Sequence, residues 1–281
     1  MSQLPWGRRL LMCRPQHFTV LYEINPWMHA EVRPDPDRAM EQFDGLMVQL
    51  QAAGAEIELM EPVEQLPDLV FTANAGVVNG SQFVPARFRH PERHGETAHD
   101  AEWFAGRGFE VEWLPDNVVH EGAGDALPFG PQGELVLVSA YRFRSDAASH
   151  PALSKLTGAP VRSVELADER LYHLDLTFCP LDDRRAMVAP LGLDAYGRKV
   201  IDALVPEPLV LEDDEALAFC ANSVVVGGNI IMPSCPPRVG RILEAWGFEV
   251  AVAPVDEFLM AGGACRCLTL ALDVDLRTGL S

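Results

Sequence analysis

Cys267 is the residue of this sequence best suited to nucleophilic chemistry. It lies in the segment Ala-Gly-Gly-Ala-Cys-Arg-Cys at residues 261–267, where the two glycines let the backbone approach a ligand closely. A thiolate is a strong nucleophile, although a cysteine in an apolar run such as 267–272 is more often a small buried hydrophobic residue. Cys265 stays an alternative, because residues two apart share one face of a strand.

Three further segments supply carboxylates, a titratable base and a neutral amide. Glu121 and Asp125 flank Gly-Ala-Gly, His173 lies two residues before Asp175, and Asn74 ends an apolar segment. Attack on a guanidinium requires a thiolate, carboxylates that hold the planar cation, and a group that protonates ammonia and then activates water. This set therefore suits hydrolysis at a guanidinium carbon. Taken singly, each residue could be a turn former, a cap or a structural histidine.

Two arginine-rich segments could bind the carboxylate of an amino-acid substrate. Residues 86–93 end at Arg93 and residues 141–144 end at Arg144, and the guanidinium fork matches a carboxylate. Arginines that alternate with aromatic residues are also typical of nucleic-acid surfaces. The net charge of −19 disfavours nucleic acid and anionic membranes as partners and suits a small cationic substrate.

The elements that would position these residues repeat along the chain. The pattern of each copy predicts a helix, then a residue that caps its C-terminus, then a strand in which apolar and polar residues alternate. The five cap positions are Gly54, Gly108, Gly158, Val205 and Gly247.

Turn signals after each copy predict strand-turn-strand units. They lie at 79–80, 130–133, 182–183 and 227–228, and residues 266–272 form the fifth unit. Five ββαβ units would bury their apolar faces and strand edges by closing around an axis. We therefore expect a five-bladed pseudo-symmetric α/β propeller, in which equivalent loops converge. A doubly wound parallel sheet is the alternative, but no Gly-x-Gly-x-x-Gly loop follows a strand.

Length and composition predict one catalytic domain over residues 1–281, with 48% hydrophobic residues to form its core. No segment approaches the roughly 18 apolar residues of a membrane span, and residues 1–10 lack the apolar run of a signal peptide. Six cysteines without a secretion signal indicate free thiols in a reducing compartment. We expect a cytoplasmic protein without a metal site, and the sequence leaves formation of a homo-oligomer open.

Four segments together resemble the guanidino-group modifying superfamily, which includes arginine deiminases, dimethylarginine dimethylaminohydrolases and amidinotransferases. They are 66–76, 121–125, 173–175 and 262–269. In this superfamily the nucleophilic cysteine precedes Leu or Met and then Ser or Thr, a pattern that Cys267 matches and Cys265 does not. The resemblance implies the pentein fold, which is a five-bladed α/β propeller, and a reaction that needs no metal or organic cofactor.

The resemblance also implies roles for individual residues. Glu121 and Asp175 would hold the guanidinium, and His173 would act first as an acid and then as a base. Asn25, Arg93 and Arg144 would bind the amino-acid end of the substrate. The expected catalytic set is Cys267, His173, Glu121 and Asn74. The expected substrate-binding set is Asp175, Asn25, Arg93, Arg144 and Asp125.

Asn74 separates the candidate reactions. Arginine deiminases usually carry an aspartate there, whereas Asn74 and the segment Ile-Asn-Pro-Trp-Met at 24–28 are similar to the arginine dihydrolase-like subfamily. We expect hydrolysis of L-arginine to ornithine, ammonia and carbon dioxide. The alternatives are a dimethylarginine dimethylaminohydrolase or arginine deiminase that forms citrulline, an amidinotransferase, and a non-catalytic propeller that binds an amino acid.

Overall fold

A computed structural model describes residues 3–277, whose strands pair into five three-stranded sheets. The strands are β1 Arg9–Cys13, β2 Glu56–Met60, β3 Gly76–Asn79, β4 Gln82–Pro85, β5 Glu110–Val111, β6 Ala126–Phe129, β7 Val136–Tyr141, β8 Val161–Glu165, β9 Phe178–Pro180, β10 Arg185–Val188, β11 Glu207–Val210, β12 Val224–Val226, β13 Asn229–Met232, β14 Glu249–Val252 and β15 Leu270–Ala271. The α-helices are α1 Pro36–Ala52, α2 His94–Gly106, α3 Ser149–Thr157, α4 Ala195–Leu204, α5 Asp213–Leu217, α6 Pro237–Ala245 and α7 Asp256–Leu259.

All five sheets share one pattern, in which an antiparallel pair is extended by a parallel third strand. The strand orders are β15-β1-β2, β3-β4-β5, β6-β7-β8, β9-β10-β11 and β12-β13-β14. A helix connects the middle strand to the parallel strand in every case, since a parallel crossover needs a long connection. The five ββαβ units expected from the sequence are therefore present, and the doubly wound sheet is not.

The predicted helix ends and the first four predicted hairpin turns are confirmed. Helix α3 ends at Gly158, whose φ of +72° places it in the left-handed region and whose N–H donates to the carbonyl of Ser154 at 2.9 Å. The turn after β3 lies at residues 80–81, between Asn79 and Gln82, which pair across the two strands. Both signals are local in sequence, and the structure follows them.

The fifth unit differs from the hairpin predicted at residues 266–272. Only Leu270–Ala271 forms a strand, and it pairs with β1 from the other end of the chain, with Leu10 opposite Ala271. Residues 265–268 form turns, so Cys267 lies in a turn and not in a strand. Hydrogen bonds from Leu268 N to Ala264 O and from Thr269 N to Arg266 O close these turns, which removes the shared strand face expected for Cys265 and Cys267.

The apolar core lies between the sheets and their helices. Phe83 on β4 and Phe104 on α2 are fully buried and stack with ring centroids 3.6 Å apart, which ties the helix to its own sheet. In the part of the chain that the structure describes, we find no helix with the length and apolar character needed to cross a bilayer.

Replacing Phe104 with alanine removes this stacking and leaves a cavity under α2. We expect Phe104→Ala to lower the free energy of unfolding by about 3–5 kcal/mol, measured by urea denaturation. Tyr196→Ala is the control, because Tyr196 is 62% exposed and its loss should cost less than about 0.5 kcal/mol. Equal losses in the two variants would contradict the assigned packing.

Candidate active site

The thiol of Cys267 is buried between two polar side chains. Its Sγ lies 3.1 Å from Nδ2 of Asn222 and 3.4 Å from Oδ2 of Asp175. Burial and the nearby Asp175 carboxylate raise the pKa of Cys267 well above its usual value, and burial raises the pKa of Asp175 to about 7. The resting site therefore holds a protonated thiol that donates to Asp175. Cys265 instead faces the carbonyl of Ala253, at 3.7 Å.

Asn222 holds the turn that carries the thiol. Its Oδ1 accepts from the backbone N–H groups of Arg266 at 3.0 Å and Cys267 at 3.2 Å, while its Nδ2 reaches both Sγ and the carbonyl of Asp175. No role for Asn222 was predicted from the sequence. Its repeat position, equivalent to that of Asn74, is the signal that could have identified it.

Glu121 forms a second centre with His173 and Arg144. Its Oε2 accepts from Nε2 of His173 at 2.8 Å and from Nη1 of Arg144 at 2.9 Å, and its Oε1 accepts from the N–H of Arg89 at 3.1 Å. Burial alone would raise the pKa of Glu121, but Arg144 and the His173 hydrogen bond hold it well below its usual range. Glu121 is therefore an ionised carboxylate that orients the imidazole.

Asp125 lies behind this centre. Its Oδ2 accepts from the hydroxyl of Ser145 at 2.6 Å and its Oδ1 from the N–H of Leu174 at 3.0 Å, and burial raises its pKa to about 6. Oδ1 of Asp125 thus holds the segment that carries His173, and Oδ2 holds Ser145, whose hydroxyl accepts from the backbone N–H of Glu121 at 2.9 Å. Asp125, which was expected to bind substrate, is not among the residues that line the cavity beside Cys267.

One small cavity faces Sγ and has room for about one water-sized occupant, with a volume of about 10 Å³. Its polar lining comprises Asn25, Asp68, Asn74, Arg93, Arg144, Tyr172 and Cys267. Five residues predicted for the site therefore meet at one cavity: Asn25, Asn74, Arg93, Arg144 and Cys267. Among residues 3–277, His, Cys, Asp and Glu side chains form no group of three that could hold a metal ion.

Arg93 connects Asn74 to a buried acid. Its Nε and Nη2 donate to the two carboxylate oxygens of Glu96 at 2.8 and 2.7 Å, and its Nη1 donates to Oδ1 of Asn74 at 2.9 Å. Nδ2 of Asn74 donates in turn to the carbonyl of Glu121 at 3.3 Å. Because Glu96 occupies the two-pronged edge of Arg93, only Nη1 of this arginine remains for a substrate carboxylate.

Asp68 is a cavity residue that the sequence analysis did not select. It is 1% exposed, its Oδ2 accepts from the hydroxyl of Tyr22 at 2.9 Å, and its Oδ1 has no hydrogen-bond partner within residues 3–277. Burial raises its pKa, while Arg93 acts in the opposite direction. Its place just before the helical turn that leads to Asn74 is a weak signal, because Pro-Asp pairs are common in ordinary turns.

Close backbone contacts hold the polar turns together. A Cβ on Gly124 would lie 2.3 Å from Nδ2 of Asn74, so only glycine fits between Glu121 and Asn74. Within residues 3–277, the non-glycine residues with positive φ are Arg142 at +115° and Phe219 at +58°. They belong to the turns that deliver Arg144 and Asn222, so backbone strain is concentrated beside the site.

Hydrogen bonds link five such turns, each from a different unit, into a cycle. The links are Ala73 N to Cys267 O at 3.1 Å, Asn74 Nδ2 to Glu121 O at 3.3 Å, Leu174 N to Asp125 Oδ1 at 3.0 Å, Asn222 Nδ2 to Asp175 O at 3.2 Å and Arg266 N to Asn222 O at 3.2 Å. The candidate catalytic residues are thus carried by turns that contact one another directly.

Known families provide a comparison for this arrangement. The family described as eukaryotic N,N-dimethylarginine dimethylhydrolase matches residues 24–273. The chain belongs to this family. A dimethylarginine dimethylaminohydrolase from Mycobacterium tuberculosis is 35% identical over 95% of this chain and 87% of its own length. The resemblance to the guanidino-group modifying superfamily is therefore confirmed.

This member of the dimethylarginine dimethylhydrolase family is also similar to arginine dihydrolases. A bifunctional arginine dihydrolase/ornithine cyclodeaminase from Nostoc sp. is 42% identical over 96% of the chain, and one from Synechocystis sp. is 42% identical over 93%. The chain spans only 38% and 37% of the length of these two proteins. The N-terminal domain of the cyanobacterial arginine dihydrolase ArgZ, crystallised with its substrate, superposes with a TM-score of 0.91 at 41% identity, covering 95% of this chain and 99% of that domain.

Glu96 and Asp100 of this family member are two buried carboxyl groups on α2, the helix that follows Arg93. Burial raises the pKa of Glu96 to about 7, although Arg93 acts against this shift. Burial, with Glu96 as a neighbour, raises the pKa of Asp100 well above its usual value, and neither oxygen of Asp100 has a hydrogen-bond partner within residues 3–277. Asp100 is therefore held as a neutral acid at neutral pH.

Burial of the neutral Asp100 carboxyl makes the free energy of unfolding depend on pH. Below about pH 4 the Asp100 carboxyl is protonated in both the folded and unfolded states, whereas at higher pH the unfolded state alone releases its proton. Stability contributed by this group is therefore lost as pH rises from 4 toward its folded pKa. We expect Asp100→Asn to unfold at a higher urea concentration than the wild type at pH 8 and at a similar one at pH 4. The same difference at both pH values would contradict the assignment.

Proposed function

We propose that this chain hydrolyses the guanidinium group of L-arginine through a covalent adduct on Cys267, giving ornithine, two molecules of ammonia and carbon dioxide. The observation that carries the proposal is the placement of Sγ of Cys267 between Asn222 and Asp175, facing a cavity lined by Asp68, Arg93 and other polar groups. This cavity offers a nucleophile at one end and paired acidic and basic groups for an amino acid.

The relatives support this substrate. Proteins named arginine dihydrolase share 42% identity with almost the whole chain. A solved structure of the ArgZ N-terminal domain contains a product, and another contains a covalently bound reaction intermediate, with TM-scores of 0.91 in both cases. The chain spans 38% and 37% of the length of these two relatives, so only the arginine dihydrolase activity in their names is proposed for it.

The thiol becomes reactive when the cationic substrate arrives. In the resting site Asp175 raises the pKa of Cys267, because a second negative charge beside the carboxylate is unfavourable. A guanidinium bound against Asp175 and Glu121 lowers the pKa of Cys267, because a nearby cation stabilises the thiolate and the carboxylates. The thiol proton passes to His173, the thiolate adds to the guanidinium carbon, and the C–N bond to one amino group breaks as His173 delivers this proton to the departing ammonia.

His173 transfers the protons in both halves of each cycle. It protonates the departing ammonia, and it then takes a proton from the water that attacks the amidino-sulfur adduct and releases the thiolate. Glu121 orients the imidazole through the bond between its Oε2 and Nε2. One cycle gives citrulline. In the second cycle the thiolate adds to the ureido carbon, and the remaining terminal amino group leaves as ammonia. A second water then releases the thiolate and leaves a carbamate on the ornithine nitrogen, which breaks down to ornithine and carbon dioxide. Overall, arginine and two waters give ornithine, two molecules of ammonia and carbon dioxide.

The other end of the cavity would hold the amino-acid end of the substrate. The free Oδ1 of Asp68 suits an α-ammonium group, and the remaining N–H groups of Arg93 and Arg144 suit an α-carboxylate. Since the cavity has room for only about one water-sized occupant, arginine enters when residues 24–28 move. These residues are held by bonds from Asn25 Nδ2 to Ala261 O and from Trp27 Nε1 to Arg170 O.

We also propose that the five sheets close into the α/β propeller expected from the sequence, as one domain. Two observations support closure. The five inner turns are joined in a cycle of hydrogen bonds, and the first sheet combines strands from both ends of the described chain. Closure of this kind leaves the thiol at the meeting point of all five units.

A second candidate function is a single hydrolysis that forms citrulline, from arginine or from dimethylarginine. The family match favours it, because that family is described by its action on dimethylarginine. Asn74 decides between the two outcomes: an amide offers a donor and an acceptor to a neutral ureido group, whereas a carboxylate favours only the cation. A non-catalytic propeller is disfavoured because the predicted nucleophile, base and carboxylates are all present and connected.

Replacing Asn74 with aspartate should stop the reaction at citrulline. The carboxylate would pair with Nη1 of Arg93 and bind the neutral intermediate poorly, so citrulline would leave after one hydrolysis. The measurement is the ratio of citrulline to ornithine formed from L-arginine, with ammonia quantified in parallel. Asn25→Asp serves as the control, because Asn25 lines the same cavity yet contacts Ala261 and Trp27. If Asn74→Asp still forms ornithine as its main product, the assignment of Asn74 fails.

Removing the nucleophile should abolish turnover. We expect Cys267→Ala to lose at least about 10³-fold in kcat with L-arginine, while Cys265→Ala keeps most of its activity because that thiol faces away from the cavity. A cationic haloamidine should also alkylate the wild type faster than neutral iodoacetamide, since the cation promotes ionisation of the thiol. Normal turnover by Cys267→Ala, or its loss in Cys265→Ala alone, would sink the proposed mechanism.

A further inference from the structure

The guanidinium of Arg266 lies behind the nucleophile. Arg266 is 5% exposed, and within residues 3–277 the structure records no hydrogen bond or ion pair for its side chain. A guanidinium carries five N–H donors, and a buried charge without a partner is costly. Burial accordingly lowers the pKa of Arg266, against the effect of Asp175. Something other than the described side chains must satisfy this group.

A cavity separate from the substrate site meets Arg266. Its lining includes Trp6, Phe178, Cys179, Ser223 and Arg266, and its volume of about 10 Å³ gives room for one small occupant. The indole Nε1 of Trp6 is buried and has no hydrogen-bond partner within residues 3–277. The guanidinium carbon lies 5.4 Å from the centre of the Trp6 ring. Two unsatisfied donors therefore border one cavity.

The chemistry of the lining favours an anion over water. Apart from Trp6 and Arg266, the lining is apolar except for Cys179 and Ser223. The hydroxyl of Ser223 already donates to the carbonyl of Cys220 at 2.7 Å, and Sγ of Cys179 donates to the carbonyl of Ser223 at 3.5 Å. Among the side chains of this lining, the Ser223 hydroxyl oxygen and the weakly accepting Cys179 sulfur are the acceptors left for the hydrogens of a water. An anion needs donors only, and it would offset the buried positive charge.

We propose that Trp6 and Arg266 bind one small monovalent anion of halide size in this cavity, on the far side of the turn that carries Cys267. The site is independent of the arginine pocket, since the two cavities share no residue. The cavity volume of about 10 Å³ limits the occupant to a small ion, and the single guanidinium in the lining matches a single negative charge.

Thermal unfolding in halide and in gluconate at equal ionic strength tests the site. Gluconate is too large to enter the cavity. We therefore expect the wild type to melt about 2–4 °C higher in 0.3 M bromide than in gluconate, which is roughly the shift for a bromide concentration ten times its Kd. The difference should vanish in Arg266→Met and shrink in Trp6→Phe, which keeps the ring and removes the N–H donor. Arg185→Met is the matched control: Arg185 also lies over a tryptophan ring, at 5.0 Å from that of Trp246, but is paired with Glu207.

Anomalous diffraction from crystals grown in bromide locates the ion. A bromide peak within contact distance of the Arg266 guanidinium and Trp6 Nε1 is the expected result. Water in the cavity of those crystals, equal melting temperatures in the two salts, or a halide effect that persists in Arg266→Met would each overturn the proposal. If Arg266→Met fails to fold, Trp6→Phe still tests the site, because this variant keeps Arg266 and removes the indole N–H donor.

Discussion

The cycle of hydrogen bonds between five turns is the constraint on which the site depends. Each turn must satisfy buried backbone groups, and it does so through the neighbouring turn, as when Asn222 binds the N–H groups of Arg266 and Cys267. Side chains of the candidate active site therefore also hold the scaffold. Glycine at position 124 is required for the same reason, because the turns approach one another too closely for a Cβ.

Burial of several ionisable groups determines the protonation states of the site before a ligand binds. The Cys267 thiol stays protonated and donates to Asp175, whose pKa is raised by burial to about 7, whereas Glu121 stays ionised because Arg144 and His173 donate to it. The resting centre therefore combines one neutral nucleophile with one fixed anion. In the proposed mechanism, a bound cation would ionise the thiol and leave Glu121 ionised, so activation of the thiol would depend on the charge of the ligand.

Sequence predicted the features that are encoded locally. Helix ends such as Gly158 and turns such as the one after Asn79 follow from backbone preferences of a few residues. The pairing of Leu10 with Ala271 could not be predicted in this way, because the two lie at opposite ends of the chain. Nor could the burial of Glu96 and Asp100, since the segment around them in α2 reads as an ordinary polar helix surface. Their place behind Arg93 arises only when the units pack.

Asn74 and Arg93 connect the two ends of the cavity. Nη1 of Arg93 binds Oδ1 of Asn74, and Glu96 holds the rest of the guanidinium in place, so the arginine cannot swing away to meet a ligand. A carboxylate that reaches Nη1 must share it with Asn74 or displace it. Displacement would free the amide to turn toward the reacting carbon, since its other bond, to the carbonyl of Glu121, is long at 3.3 Å. Under the proposed function, recognition of the amino-acid end and retention of a ureido group would depend on the same two side chains, Asn74 and Arg93.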